Sequence, residues 1–179
     1  MAGTFTYRLQ PFDGNSPYFA GAVAIYASTW GHSWERAYSF FASFVRYYPG
    51  YCGLVALCAE QVIGFGFGTR SLPGQWWHDQ VAAQVGYGHP ALQDAWVLTE
   101  LALASNYRNQ GVGGHLHDEL LRRQRHPRVL LSTQLHNVGA QRFYQARGWG
   151  YLHPGFPFER GAPEYVIMSR ECAILPPTP

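Results

Sequence analysis

The stretch from Leu98 to Leu116 holds the densest set of residues that could carry out chemistry. Its centre, residues 108–114, reads Arg-Asn-Gln-Gly-Val-Gly-Gly and lies between an apolar run that predicts a strand and a periodic run that predicts a helix. Glycines at such a junction leave backbone N–H groups uncovered, and the helix N-terminus adds unpaired donors and a partial positive charge. The pattern therefore predicts an anion site that suits a pyrophosphate.

The spacing of these glycines excludes two common nucleotide-binding motifs. A dinucleotide fingerprint needs a third glycine at position 116, where this chain has leucine. A mononucleotide phosphate loop needs a Gly-Lys pair, and the chain has no lysine. A plain glycine-containing loop is the alternative to an anion site.

A second motif lies downstream of the first. Its members are Asn137, Ala140, Phe143, Tyr144, Gly148 and Trp149. Together with Arg108-x-x-Gly111-x-Gly113, this pattern resembles the two signatures of the GNAT superfamily of N-acetyltransferases, and the resemblance is strong over residues 96–150. It implies an enzyme that moves the acetyl group of acetyl-CoA to an amine and releases coenzyme A.

The resemblance also implies where the cofactor binds. Backbone groups of the fourth predicted strand would hold the pantetheine arm at Leu101, Ala102 and Leu103. The pyrophosphate would be held by the glycine-rich turn, which comprises Arg108, Asn109, Gln110, Gly111, Val112, Gly113 and Gly114. Asn137 matches a cofactor-contacting position, and the sequence equally predicts it as a helix N-cap.

Two residues are predicted to act in catalysis. Tyr144 matches the family's general acid, which protonates the departing thiolate of the cofactor; a purely packing role in mid-helix is the alternative. Glu100 lies among leucines in the fourth strand, where a carboxylate is costly unless it is paired, hydrated or used. We interpret Glu100 as the general base or as a contact of the substrate ammonium.

Some relatives carry the base on the fifth strand, but this chain has Ser132 at that position. Weaker candidates for the base are His78, Glu35 and Asp79, because the segments before the fourth strand commonly wall the acceptor site in this family.

Aromatic residues make up 16% of the chain. We expect Trp76, Trp77, Phe156 and Phe158 to wall the acceptor pocket, and a core built from aromatic rings is the alternative. The acceptor is expected to be a primary amine of a small molecule. A protein or peptide N-terminus, or a non-catalytic acyl-CoA binding module, remains open as another reading.

The order of predicted elements is strand, helix, helix, strand, strand, loop, strand, helix, strand, helix, strand, strand. The loop, residues 71–94, has room for a short helix over 75–85. Ser33 is predicted to cap the second helix, and the glycines of residues 64–68 in the third strand indicate a close approach by another part of the chain. This order predicts a mixed α/β fold with an α+β character. With the resemblance, it implies a mostly antiparallel, twisted sheet of six to seven strands, with a β-α-β cofactor-binding core over residues 96–150 and about four flanking helices.

Length and composition bound the remaining expectations. With 179 residues, the chain is expected to form one domain over residues 1–179, ending in a short flexible tail at about 173–179. A net charge of +2 is too small to indicate a nucleic-acid binder by itself, so no nucleic-acid partner is expected. No apolar run reaches the ~18 residues of a membrane span, so no membrane partner is expected either. Three cysteines without metal spacing predict a cytoplasmic protein that binds no metal. Because members of the resembled family are often dimers, a homodimer is an open expectation.

Overall fold

The computed structural model describes residues 5–172, which form seven strands and five α-helices. The strands are β1 (Arg8–Pro11), β2 (Cys52–Cys58), β3 (Gln61–Arg70), β4 (Ala95–Leu103), β5 (Arg128–Gln134), β6 (Gly150–Pro157) and β7 (Glu164–Glu171). The helices are α1 (Phe19–Trp30), α2 (Trp34–Tyr47), α3 (Trp76–Val85), α4 (Val112–Arg123) and α5 (Val138–Gln145). The predicted tail at 173–179 lies outside the described residues.

The strands form one mixed sheet in the order β1-β2-β3-β4-β5-β7-β6. The pairs β1–β2, β2–β3, β5–β7 and β6–β7 are antiparallel, and β4–β5 is parallel. The predicted mixed, mostly antiparallel α/β class is therefore confirmed. Helix α3 lies within the predicted loop over residues 71–94, at the position of the short helix expected over 75–85.

The described residues divide into two compact units, and β4 contributes to both. Among the described residues, unit 1 contains residues 5–69 together with Leu98–Gln124, and unit 2 contains Arg70–Val97 together with residues 125–172. The expectation of one domain over residues 1–179 stays a prediction.

In unit 1, helices α1 and α2 cover the β2–β3 hairpin with a core of aromatic rings. Gly31 ends α1 in a left-handed conformation at φ +66°, and the Ser33 hydroxyl accepts a hydrogen bond from the Arg36 N–H to begin α2, as its position predicted. The ring of Phe41 packs 5.1 Å from that of Phe65 and 5.0 Å from that of Phe67. This burial holds the helix pair on the sheet.

The glycines of β3 allow β4 to approach closely. A Cβ added at Gly64 would collide with the Leu103 side chain, and one at Gly66 would lie 2.9 Å from Leu101 and 2.7 Å from Leu120 of α4. The alternating glycines predicted such an approach from sequence. Because these glycines have no side chains, the surface of β3 is flat there, and the end of β4 and helix α4 pack directly on it.

In unit 2, helix α3 packs with β5, β6 and β7. Its buried residues Val81 and Ala82 belong to one apolar cluster with Leu130 and Ile167. Strand β4 enters this unit through its first three residues, where Ala95–Val97 pair with Arg128–Leu130. Within residues 5–172, no helix is long and apolar enough to cross a membrane.

Candidate functional site

The glycine-rich turn in unit 1 begins where β4 ends. The Ala104 N–H donates to the Ile63 carbonyl at 2.9 Å, and a short 3-10 turn follows over Ser105–Tyr107. The Arg108 Nε then donates back to the Leu103 carbonyl at 3.3 Å. The guanidinium of Arg108 thus ties the start of the turn to the last residue of the strand.

The next residues turn the chain sharply into helix α4. Asn109 and Gly111 adopt positive φ angles of +60° and +85°, a region that asparagine tolerates and glycine enters without penalty. The Gly111 carbonyl accepts from the His115 N–H at 3.1 Å, so the helix starts at Val112. The N–H groups of the first turn have no carbonyl partner within the helix, which makes this end a donor-rich, electropositive site.

Glu100 lies in the part of β4 that belongs to unit 1. Burial raises the pKa of its carboxyl to about 8, and a hydrogen bond from the Trp30 side chain lowers it in part. Trp30 ends helix α1 and is itself 44% exposed. The carboxyl is therefore mostly protonated at neutral pH and becomes a base in mildly alkaline solution.

Tyr144 lies near the end of helix α5 in unit 2 and is half-buried. Its ring packs edge-on against Trp149 at 5.6 Å and against Phe143 at 5.1 Å. The Tyr144 carbonyl accepts from the Trp149 N–H at 3.2 Å. These contacts fix the ring at the point where the helix gives way to β6.

Asn137 begins the same helix. Its Oδ1 accepts from the Ala140 N–H at 3.1 Å, so the predicted N-cap is confirmed. Gln141, one turn later, is buried and donates to the Gln134 and Leu135 carbonyls at 3.2 and 2.7 Å. This glutamine fastens α5 to the end of β5, and sequence reasoning did not single it out.

The four predicted aromatic wall residues all lie in unit 2. The Trp76 ring is 5.2 Å from the Phe158 ring, which is 4.9 Å from the Phe156 ring. Phe156 is buried in the unit 2 core, whereas Trp76 is 53% exposed. Trp77 packs against the same core. The structure brings these rings together as one cluster that is buried at one end and exposed at the other.

The sequence model of the acetyltransferase (GNAT) family matches residues 19–149. The chain belongs to the GNAT acetyltransferase family. The match covers both motifs and most of the described helices and strands, so the resemblance inferred from sequence is confirmed, and the chain is a transferase by family.

Known relatives agree with this membership. A GCN5-like protein acetyltransferase of Mycobacterium tuberculosis (strain ATCC 25618 / H37Rv) is 30% identical over 119 residues, which cover 61% of this chain and 58% of the relative. The chain thus matches less than two thirds of the length of that relative.

Solved structures share the GNAT fold at low identity. An aminoglycoside 6'-N-acetyltransferase complexed with coenzyme A aligns with a TM-score of 0.66 and 14% identity, covering 96% of this chain and 99% of that one. Ard1 from Thermoplasma volcanium aligns with a TM-score of 0.67 and 19% identity, covering 93% and 98%. At such identities the likeness shows the fold alone.

In this GNAT chain, the weaker candidates for the base have local structural partners. His78 is buried and lies 2.8 Å from the Ser71 hydroxyl through its Nδ1, and burial lowers its pKa. The Asp79 carboxylate accepts from the Gly74 N–H at 3.0 Å, and Glu35 lies exposed in the first turn of α2. Each of these side chains supports a turn, a helix start or the core.

The predicted site residues are shared between the two units. Unit 1 carries Glu100, residues 101–103 and the turn over residues 108–114, whereas unit 2 carries Asn137, Tyr144 and the aromatic cluster. Sequence reasoning missed Trp30 as the partner of Glu100, because no local pattern marks a contact between residues so far apart in the chain.

Proposed function

We propose that this chain transfers the acetyl group of acetyl-CoA to a primary amine of a small molecule. The observation that carries the proposal is the turn over residues 108–114, which presents the unpaired N–H groups of helix α4 beside the left-handed Gly111. Such a donor set fits the pyrophosphate of coenzyme A, since it offers directed hydrogen bonds and a positive helix end without a side chain in the way.

The rest of the cofactor would lie along β4. We assign the pantetheine arm to the backbone of Leu101, Ala102 and Leu103, which an extended ligand can pair with as an added strand does. The pairing of β4 with β5 runs from Ala95 to Val97, so it leaves those three residues out. Asn137 is assigned as a further contact, because its side-chain N–H₂ stays available while Oδ1 caps the helix.

Acetyl-CoA supplies an activated acetyl thioester, and the residues of the chain position the reaction and move its protons. Glu100 accepts the proton of the attacking amine, or holds its ammonium form before attack. The Tyr144 phenol donates a proton to the departing thiolate. The Leu103 N–H polarises the thioester carbonyl.

A direct attack, with no acetyl-enzyme, agrees with the state of two of the three cysteines. Burial raises the pKa of the Cys52 and Cys172 thiols, which keeps them in the weakly nucleophilic protonated form.

A protein or peptide amine is the second candidate acceptor. The observation in its favour is the relative from Mycobacterium tuberculosis, which is a protein acetyltransferase. The two candidates differ in what the exposed end of the aromatic cluster must accommodate, since a peptide needs an open groove and a small amine needs a closed pocket.

Calorimetric titration with acetyl-CoA, desulfo-CoA and ATP tests the cofactor assignment. Binding of both CoA compounds but not of ATP is the expected result, and a folded sample that binds neither CoA compound overturns the proposal. A screen of small amines against peptides then separates the two acceptors. Binding without turnover of any amine would identify an acyl-CoA binding module instead.

A further inference from the structure

The N-terminal residues Phe5 and Tyr7 contact both flanks of the glycine-rich turn. The Phe5 ring lies 5.5 Å from the ring of Tyr107, which precedes the turn, and 5.6 Å from the ring of Tyr7. The Tyr7 ring lies 5.7 Å from His115, and its hydroxyl is 3.2 Å from the His115 Nδ1. His115 belongs to the first turn of α4. The rings therefore form a continuous bridge from one end of the turn to the other.

The turn gains from such support because it is exposed and because Asn109, which is not a glycine, has a left-handed backbone at φ +60°. Asn109 and Gly111 both have positive φ angles, and both are exposed. Two side chains of the turn form local hydrogen bonds. Arg108 donates to the Leu103 carbonyl, and Gln110 donates to the Asn106 carbonyl at 2.7 Å. A backbone in a sparsely populated conformation persists only where its surroundings hold it.

We propose that Phe5 and Tyr7 are positioning residues that brace the turn over residues 108–114 in its anion-binding shape before the cofactor arrives. This inference rests on the proposed function, because it assigns the braced turn to the pyrophosphate of coenzyme A. Ligand affinity improves when a binding loop is ordered in advance, since the ordering cost then falls outside the binding step. The brace acts through Tyr107 and His115 and touches no reacting atom.

The test compares wild type with the double variant Phe5→Leu/Tyr7→Phe. The first change removes an aromatic ring but keeps apolar bulk, and the second removes only the hydroxyl that meets His115. Tyr47→Leu is the matched control, because Tyr47 is a 71% exposed tyrosine of α2 in the same unit. We expect the Kd for desulfo-CoA and the KM for acetyl-CoA to rise about fivefold in the double variant, as expected for lost aromatic and hydrogen-bond contacts. The kcat and the acceptor KM should stay unchanged.

A second ligand separates a brace from a direct contact with the nucleotide. The probe 4'-phosphopantetheine carries a phosphate but no nucleoside, so a brace predicts the same fold loss for it as for desulfo-CoA. A loss confined to desulfo-CoA overturns the brace and assigns the rings to the nucleotide. An unchanged Kd for both ligands also overturns it.

Hydrogen exchange on the unliganded protein tests the brace without any bound ligand. The amide of His115, which donates to the Gly111 carbonyl across the first turn of α4, should exchange several-fold faster in Tyr7→Phe than in wild type, because the brace is weakened. This readout stands even if wild type fails to bind desulfo-CoA, a result that overturns the proposed function alone. Equal exchange rates in the two folded proteins overturn the brace.

Discussion

The indole N–H of Trp77 donates a hydrogen bond to the hydroxyl of Ser132, 3.1 Å away. The bond joins the first turn of α3 to the middle of β5, and it is partly buried. Ser132 stands where some GNAT relatives are expected to carry a catalytic glutamate. In this chain the residue at that position instead bonds an aromatic side chain, and Glu100 stays the first candidate for the base.

Removing this bond should weaken acceptor use and leave cofactor binding intact. We expect Ser132→Ala to raise the acceptor KM a few-fold, since a lost neutral hydrogen bond is worth about 1 kcal/mol. Ser132→Thr keeps the hydroxyl and should restore the wild-type KM. The double change Trp76→Ala/Trp77→Ala should impair acceptor use further, as steady-state kinetics would show. If the affinity for acetyl-CoA also falls in this double variant, Trp76 and Trp77 have a structural role instead.

Gly111→Ala tests the glycine-rich turn. At φ +85° an alanine costs about 1–2 kcal/mol in folding, and the distorted turn should bind acetyl-CoA at least tenfold more weakly. Gly74→Ala is the matched control, because Gly74 has φ +89° and, like Gly111, would place a Cβ in open space. Calorimetry and thermal melts should show a similar stability loss in both variants and an affinity loss only in Gly111→Ala. Equal affinities would remove the turn from the cofactor site.

Tyr144→Phe tests the general acid. We expect kcat to fall by a factor of about 10² with the Kd for acetyl-CoA unchanged, because the phenol acts on the leaving group and the ring keeps its packing on Trp149. Tyr151→Phe is the control. The Tyr151 hydroxyl donates to the Gln141 side chain at 2.8 Å in the same unit. Its removal therefore breaks a tyrosine hydrogen bond that has no role in the proposed chemistry. A Tyr144→Phe enzyme with wild-type kcat at all pH values would contradict the acid role.

Glu100→Gln should change how stability depends on pH. The pKa of Glu100 is about 8 in the folded protein, against an ordinary value of 4.5. Between these values the unfolded chain has released a proton that the folded chain retains, so wild type loses stability as pH rises, by up to ~1.4 kcal/mol per pH unit. The glutamine variant lacks this slope and should gain stability over wild type between pH 5 and pH 8. Denaturant unfolding at pH 5 and pH 8 measures the free energy of unfolding of both proteins. If the two proteins differ by the same amount at both pH values, folding does not raise the pKa of Glu100.

The same pKa gives Glu100 a signature in catalysis. As a base it works only when ionised, so wild-type kcat/KM should rise with pH, reach half of its maximum near pH 8 and level off only above that pH, in keeping with the folded-state pKa. Glu100→Gln should lose this limb and retain a low, flatter rate. A pH profile that is identical in both proteins would assign Glu100 to structure.

Sequence reasoning predicted best the features that depend on residues close together along the chain. The caps at Ser33 and Asn137 were predictable because an N-cap bonds an amide three residues ahead. The glycines of β3 predicted a close approach because glycine alone leaves room for one. The short helix within residues 71–94 is harder to predict, because its apolar residues follow the helical period only weakly.

The GNAT family, the mixed α/β order of elements and the glycine-rich turn could be predicted from the sequence, since each depends on residue types at short, regular spacings. The folded structure was needed to find that Trp30 bonds the carboxyl of Glu100, that Ser132 bonds Trp77, and that Phe5 and Tyr7 bridge the turn. Each of these contacts joins residues far apart in the chain. Their proximity depends on how helices and strands pack, and packing depends on all the side chains of a unit at once rather than on any local pattern.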